Sequence, residues 1–427
     1  MAATEGYVPV TWIKNTPTPL LLITTFSVAT TLALCSVSPD IQPDTASYLR
    51  FSPERGILYP LLLDLFRLTT PPDSTLAWVA RFQGACIAAA AAFFAFRVGR
   101  LLSLGKTWYH LLYLLIALPG VAFAGNILTE PLTYAGVILF WVLNLQYYLA
   151  PGIWRALCLA LLSALLVIHR PHMLPLVAFS GLVQLWGFAR HRRLIHAKAL
   201  VLLVLSLVAA NTTQNHVRVM LTGDPHIAST VGSHILANMI YVAHPEDSAL
   251  FSDEGQRRVF QKAIRLADVK GYTRQKWDKT ASHIPTSIHR LFYEAVLPLC
   301  NEEILLNGNG GDSADLLALK MGLTLLGKRW PEYLSLLLRK TYDSQPFFYA
   351  LTVVLMALGL AHAKRTGAWQ GRFLAIVVIG TALSVLPYLL LITLDKRFVF
   401  PVEYPILIWV TALGASLLGQ TRTRLDK

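Results

Sequence analysis

The residues best suited to chemistry lie in an acidic, polar stretch, PDIQPDTASYLRFSPERGILYPLLLDLF, at residues 39–66, directly after the first apolar block. Asp44 falls where a membrane helix should end, and Tyr48, Arg55 and the Tyr59-Pro60 pair follow it. A carboxylate can take up a proton, and a guanidinium can grip phosphate oxygens with a bidentate fork. Similar groups occur in short turns far away in the sequence: Glu130, His169, Arg170 and His172, then Asp395, Lys396, Arg397 and Glu403. If the intervening helices bundle, these turns meet on one face. The chemistry is then that of a substrate held at the surface of a bilayer.

The elements that must position these groups are read from composition. The chain has 427 residues, of which 55% are hydrophobic and only 14% charged, with a mean hydropathy of +0.51. Soluble domains carry about 25% charged residues, so an ordinary globular protein is excluded. The apolar residues come in blocks, and about 20 of them in a helix cross the hydrocarbon core. Helices satisfy their own backbone groups in lipid, and the ten-residue alternation of a membrane barrel is absent. Hydropathy gives about ten spans, near 19–38, 75–96, 108–125, 131–149, 155–169, 172–189, 199–214, 347–363, 373–394 and 400–418. The short block at 155–169 and its neighbour are also readable as a hairpin that does not fully cross. The fold class expected is an all-α polytopic membrane protein. Its three parts are a module at 1–214 with the reactive outer loops, a mostly helical extracytoplasmic domain at 215–346 with an interfacial helix, and a module at 347–427.

Orientation follows from Lys and Arg in short loops. Arg97, Arg100 and Lys106, then Arg155, then Arg190, Arg192, Arg193 and Lys198, then Lys364, Arg365 and Arg372 all fall on one side with about ten spans. Lys14 and the basic tail join them, which puts both termini in the cytoplasm. A net charge of +13 is accounted for by these loops facing anionic headgroups. No nucleic-acid module is present. Cys35, Cys86, Cys158 and Cys300 make neither a disulfide framework nor a CxxC metal site. Histidines at 216, 226, 234, 244, 283 and 289 lack ligand spacing. The first block is long enough to span and reads as a retained helix, not a cleaved leader. Residues 252–270 and 283–299 have helical periodicity, and GKRWPEYLSLLLRKTY at 327–342 is amphipathic, fit to lie along an interface.

The first outer loop resembles that of the polytopic GT-C glycosyltransferases, which use polyprenyl-phosphate-linked sugars. Their pattern is an acidic residue after the first span, then Tyr-Leu, Arg and Tyr-Pro. Here it reads Asp44, Tyr48-Leu49, Arg55 and Tyr59-Pro60. ALPGVAFAGNILTEPLTY at 117–134 is similar to the family's third span, ending in Thr129-Glu130-Pro131. HRPHMLPL at 169–176 is similar to an Arg-Pro turn of many members, and DKRFVFPVEYP at 395–405 to a late Arg-aromatic-Pro motif. The resemblance covers the first 190 residues well and the last 50 loosely, and is nearest to the protein mannosyltransferase and aminoarabinose transferase group.

The resemblance implies transfer of a sugar from a polyprenyl-phosphate donor to an extracytoplasmic acceptor, a glycolipid, polysaccharide or protein. The mixture of apolar and aromatic residues with no organelle signal points to a bacterial inner membrane. A lipid phosphate already activates the sugar. A carboxylate takes the acceptor's proton as the bond forms, and cations stabilise the leaving phosphate. Asp44 is then the general base, and Glu130 orients the acceptor or holds a metal. Arg170, Lys396 and Arg397 are candidates for the phosphate, His172 assists, and Tyr48, Arg55 and Tyr59 shape the pocket. No cofactor is required by the sequence, and a divalent metal is compatible with it. Two alternatives stay open: a lipid-linked polysaccharide polymerase or ligase with diphosphate donors, and a non-catalytic transporter. The scarcity of charge inside the spans weighs against the transporter, since ion-coupled carriers keep ionisable residues near the midplane.

Overall fold

The computed structural model describes residues 17–42, 44–52, 55–102, 104–191, 193–223, 231–272, 284–307 and 313–344, with single positions at 357, 361, 376, 377, 379 and 380. Apart from those single positions, the expected spans at 347–363, 373–394 and 400–418 lie outside the described residues, as do Lys396 and Arg397.

Helices dominate the described residues, and their order is α1 (Pro17–Cys35), α2 (Thr45–Leu49), α3 (Leu58–Thr69), α4 (Thr75–Leu101), α5 (Lys106–Ala124), α6 (Glu130–Leu149), α7 (Ile153–His169), α8 (Leu174–His191) and α9 (Leu194–Thr222). Each apolar block expected to span up to residue 214 is therefore a helix. Four stretches, Pro72–Leu101, Lys106–Ala124, Glu130–Leu149 and Leu194–Leu221, are long and apolar enough to cross a membrane. Leu20–Cys35, Ile153–His169 and Leu174–Ala189 are shorter apolar helices. The chain is an all-α protein of membrane type over these residues.

Helix ends follow from local chemistry. Pro131 sits in the first turn of α6, where its missing N–H costs nothing. Arg170 leaves the helical region (φ −150°, ψ 97°) because Pro171 follows it, and α7 stops at His169. Small residues let helices approach closely, as in other membrane bundles. At Gly84 an added Cβ would stand 1.8 Å from the Leu34 carbonyl oxygen, so α4 crosses α1 in near-backbone contact. Hydroxyl pairs add to this: His110 on α5 bonds Thr24 and Ser27 on α1, at 3.3 and 3.2 Å.

The chain divides into two units, the first comprising 1–226 with 352–384 and 400–427, the second 227–351 with 385–399. α9, expected to span to about 214, continues without a break to Thr222. The second unit holds α10 (Val231–Val242), α11 (Glu254–Lys270), α12 (Ile284–Leu291), α13 (Leu297–Asn307) and α14 (Ala314–Ser344). The helix expected over 283–299 is interrupted by a π turn at Phe292–Val296. Its core gathers Leu236, Ile240, Phe260, Ile288, Phe292 and Met321. In α14, Pro331 cannot donate to the preceding turn, and the helix breaks at Arg329 (φ −105°, ψ 23°). Arg329 grips the buried Asp247 with Nε and Nη2, both at 2.9 Å. The amphipathic stretch at 327–342 uses one face in this core, through Tyr333, Leu336 and Leu337, and leaves Trp330 and Leu338 exposed.

Candidate functional site

Two loops are stitched together before any side chain enters. The Asp40 amide donates to the Gly125 carbonyl at 2.7 Å, and the Ile127 amide donates to the Asp40 carbonyl at 3.0 Å. Thr45 Oγ1 adds a bond to the Ile127 carbonyl at 3.1 Å. This backbone bridge fixes the loop after α1 against the loop after α5. It thereby holds the start of α2, which Asp44 precedes, against the loop that leads into α6.

From Asp44 a line of polar contacts runs inward. Asp44 Oδ1 lies 3.3 Å from Arg55 Nη2. Arg55 Nε donates to Ser47 Oγ at 2.9 Å, and its guanidinium stands 4.8 Å from the centre of the Tyr48 ring. The Tyr48 hydroxyl is 3.3 Å from Thr129 Oγ1. Beyond Thr129, Glu130 Oε1 meets Arg170 Nη2 at 3.3 Å. His169 Nε2 donates to the Thr129 carbonyl at 3.0 Å, tying the end of α7 to the start of α6.

Aromatic packing supports this line. Tyr59 stands edge-on to Tyr48 and to His169, with ring centres 5.2 and 5.8 Å apart. Its hydroxyl donates to Gln83 Oε1 at 2.7 Å, and Gln83 Nε2 donates to the Ala124 and Asn126 carbonyls, both at 2.9 Å. Burial raises the Tyr48 hydroxyl above its ordinary value, against the pull of Arg55. Burial, reinforced by Tyr48, raises that of Tyr59 well above it. Both phenols are neutral donors and acceptors at physiological pH.

Exposure divides the site. The Arg55 and Asp44 side chains are 22% and 24% exposed, those of Arg170 and Glu130 only 8% and 6%. Asp44 and Arg55 are reachable from outside. Glu130 and Arg170 form the buried foot.

No family model, curated protein or solved structure matches the chain. The site is therefore read from its own geometry. Asp44, Tyr48, Arg55, Tyr59, Glu130 and Arg170, all singled out from sequence, fall in one constellation. His172 belongs to the turn Pro171–Met173, and its side chain lies outside the described residues. The expected phosphate ligand Arg170 is committed to Glu130. Glu130 in turn is engaged by Arg170, and among the described residues no group of three metal-ligating side chains occurs. Asp44 and Glu130 are each held by an arginine, a setting that does not suit a divalent ion.

Arg218 was not anticipated. It lies on α9 with 2% of its surface exposed, and its Nη2 donates to the Arg55 carbonyl. With Phe51, Gly56 and Pro60 it lines a void of about 10 Å³. The available signal was an arginine continuing an apolar helical pattern, VRVML at 217–221. Ending the span at 214 hid it.

Proposed function

We propose that the chain is an integral-membrane glycosyltransferase of the GT-C type. It has about ten spans, both termini in the cytoplasm of a bacterium, and its site on the outer face of the inner membrane. It transfers one sugar from a polyprenyl-phosphate donor to an acceptor hydroxyl, with inversion. The observation that carries this reading is the Asp44–Arg55 pair. It is a partly exposed carboxylate, 3.3 Å from a partly exposed guanidinium, at one end of a set of apolar helices.

The reaction balances without a cofactor. The acceptor oxygen attacks the anomeric carbon from the face opposite the phosphate. Its proton passes to Asp44 as the new carbon–oxygen bond forms. The bond from the anomeric carbon to the phosphate oxygen breaks, and the polyprenyl phosphate leaves with the electron pair. Arg55 supplies positive charge that this anion needs. Glu130 and Arg170 hold Thr129 and Tyr48 in place beneath Asp44.

The test is Asp44→Asn in membranes loaded with polyprenyl-phosphate sugar. Transfer should fall by about 10²–10⁴-fold, with the variant extracted and folded as the parent. Full transfer by a folded Asp44→Asn protein rules out the base assignment.

A further inference from the structure

A second polar site lies at the other end of the same helices. α6 begins at Glu130, in the candidate site, and its 20 residues carry it about 30 Å away, the thickness of a hydrocarbon core. At that far end α4, α6 and α7 enclose a cavity of about 470 Å³. This falls within the range of about 300–1,000 Å³ typical of ligand sites.

Arg97 and Arg100 from α4, and Arg155 from α7, line the cavity together with Gln146, and Leu101 on α4 and Leu149 on α6 form part of its apolar wall. Among the described residues no carboxylate lines the cavity, and none of the three arginines forms an ion pair. Arg97 is braced over the Phe93 ring at 5.4 Å. Arg155 is anchored by Nη1 to the Ala150 carbonyl. Gln146 Nε2 itself is buried and has no hydrogen-bond partner among the described residues, so the polar character of the cavity is set by the three cations.

We propose that this cavity binds the phosphate of an anionic glycerophospholipid. Its headgroup sits among Arg97, Arg100 and Arg155 and directs its chains along Leu101 and Leu149. Three positive charges suit a phosphodiester, and the adjoining apolar side chains suit acyl chains. Basic pockets between membrane helices bind acidic headgroups on the same grounds. The inference is independent of any reading of the opposite face.

The experiment uses the full chain in nanodiscs of zwitterionic lipid, doped with phosphatidylglycerol, and native mass spectrometry to count retained lipids. A third arm adds inorganic phosphate to undoped discs. The parent should retain phosphatidylglycerol selectively. The R97Q/R100Q/R155Q protein should lose that preference by about a hundredfold, at roughly fivefold for each cation near a charged headgroup, and the matching Arg→Lys triple should keep most of it. If the triple Gln variant fails to fold, the three single variants carry the test, each at about fivefold. Equal retention of zwitterionic lipid, or unchanged retention by the Gln variants, overturns the proposal. Occupancy by inorganic phosphate that blocks lipid retention assigns the site to a soluble anion and overturns the lipid assignment.

Discussion

The carboxylate of Glu130 and the guanidinium of Arg170 meet at 3.3 Å with less than a tenth of either side chain exposed. One stands at the first residue of α6, the other just past the last of α7. The pair therefore locks two helix ends in a water-poor place. Removing one partner from a buried pair leaves a stranded charge, at a cost of about 3–5 kcal/mol. Arg170→Ala should accordingly lower the thermal midpoint in detergent by several degrees. Glu130→Gln combined with Arg170→Gln should recover most of the loss. A double variant no better than Arg170→Ala would show that the pair contributes through packing alone.

Arg55 works through the shape of its side chain. It reaches Asp44 by Nη2, Ser47 by Nε and the Tyr48 ring by its flat face. A lysine ammonium is a single point of charge and cannot serve all three. Under the proposed function, Arg55→Lys should reduce transfer at least about tenfold, the loss of one oriented charge-assisted bond, with little change in thermal midpoint. Parent-like transfer by Arg55→Lys would place Arg55 outside the chemistry.

Much of this site was legible in the sequence because residue type and topology carried the information. An apolar block of about 20 residues announces a helix, and a polar residue just beyond it must lie at one end. Asp44, Glu130 and Arg170 are such residues, and contacts through Arg55, Tyr48 and Thr129 join them. The register between the loops was not legible. It rests on backbone bonds of Asp40 with Gly125 and Ile127, and backbone groups are the same in every sequence. Nor was the exposure gradient from Asp44 to Glu130, which depends on how deep each turn sits. Arg218 escaped for another reason: hydropathy fell at residue 214, while the hydrogen-bonded helix continued to Thr222.

The loop that carries Arg55 lies directly on the end of α7. A Cβ at Gly56 would stand 2.4 Å from the Ile168 carbonyl oxygen. That oxygen belongs to backbone and cannot swing aside, so the loop must lift. Gly56→Ala should cost about 1–3 kcal/mol of stability, as overpacked sites do, and should move Arg55 off Asp44. The expected signature is a lower thermal midpoint together with reduced transfer. A variant with both values intact would mean that the loop is free to shift without consequence.

In the second unit, Lys340 is fully buried on α14 and donates to Asn238 Oδ1 on α10. Burial lowers its pKa from 10.5 to about 7. A lysine whose folded-state pKa is depressed binds fewer protons folded than unfolded between those two values. Stability then rises with pH across that window and flattens above it. Below about pH 7 both states hold the proton, and the cost of a buried charge is present in full. The measurement is hydrogen exchange of the α10 and α14 amides in the intact protein, corrected for the intrinsic rate at each pH. Protection should grow from neutral pH towards pH 10. Lys340→Met places an apolar chain of similar length in the same space, so it should raise protection at pH 7 and remove the dependence. An unchanged slope in Lys340→Met would assign the titration to another group.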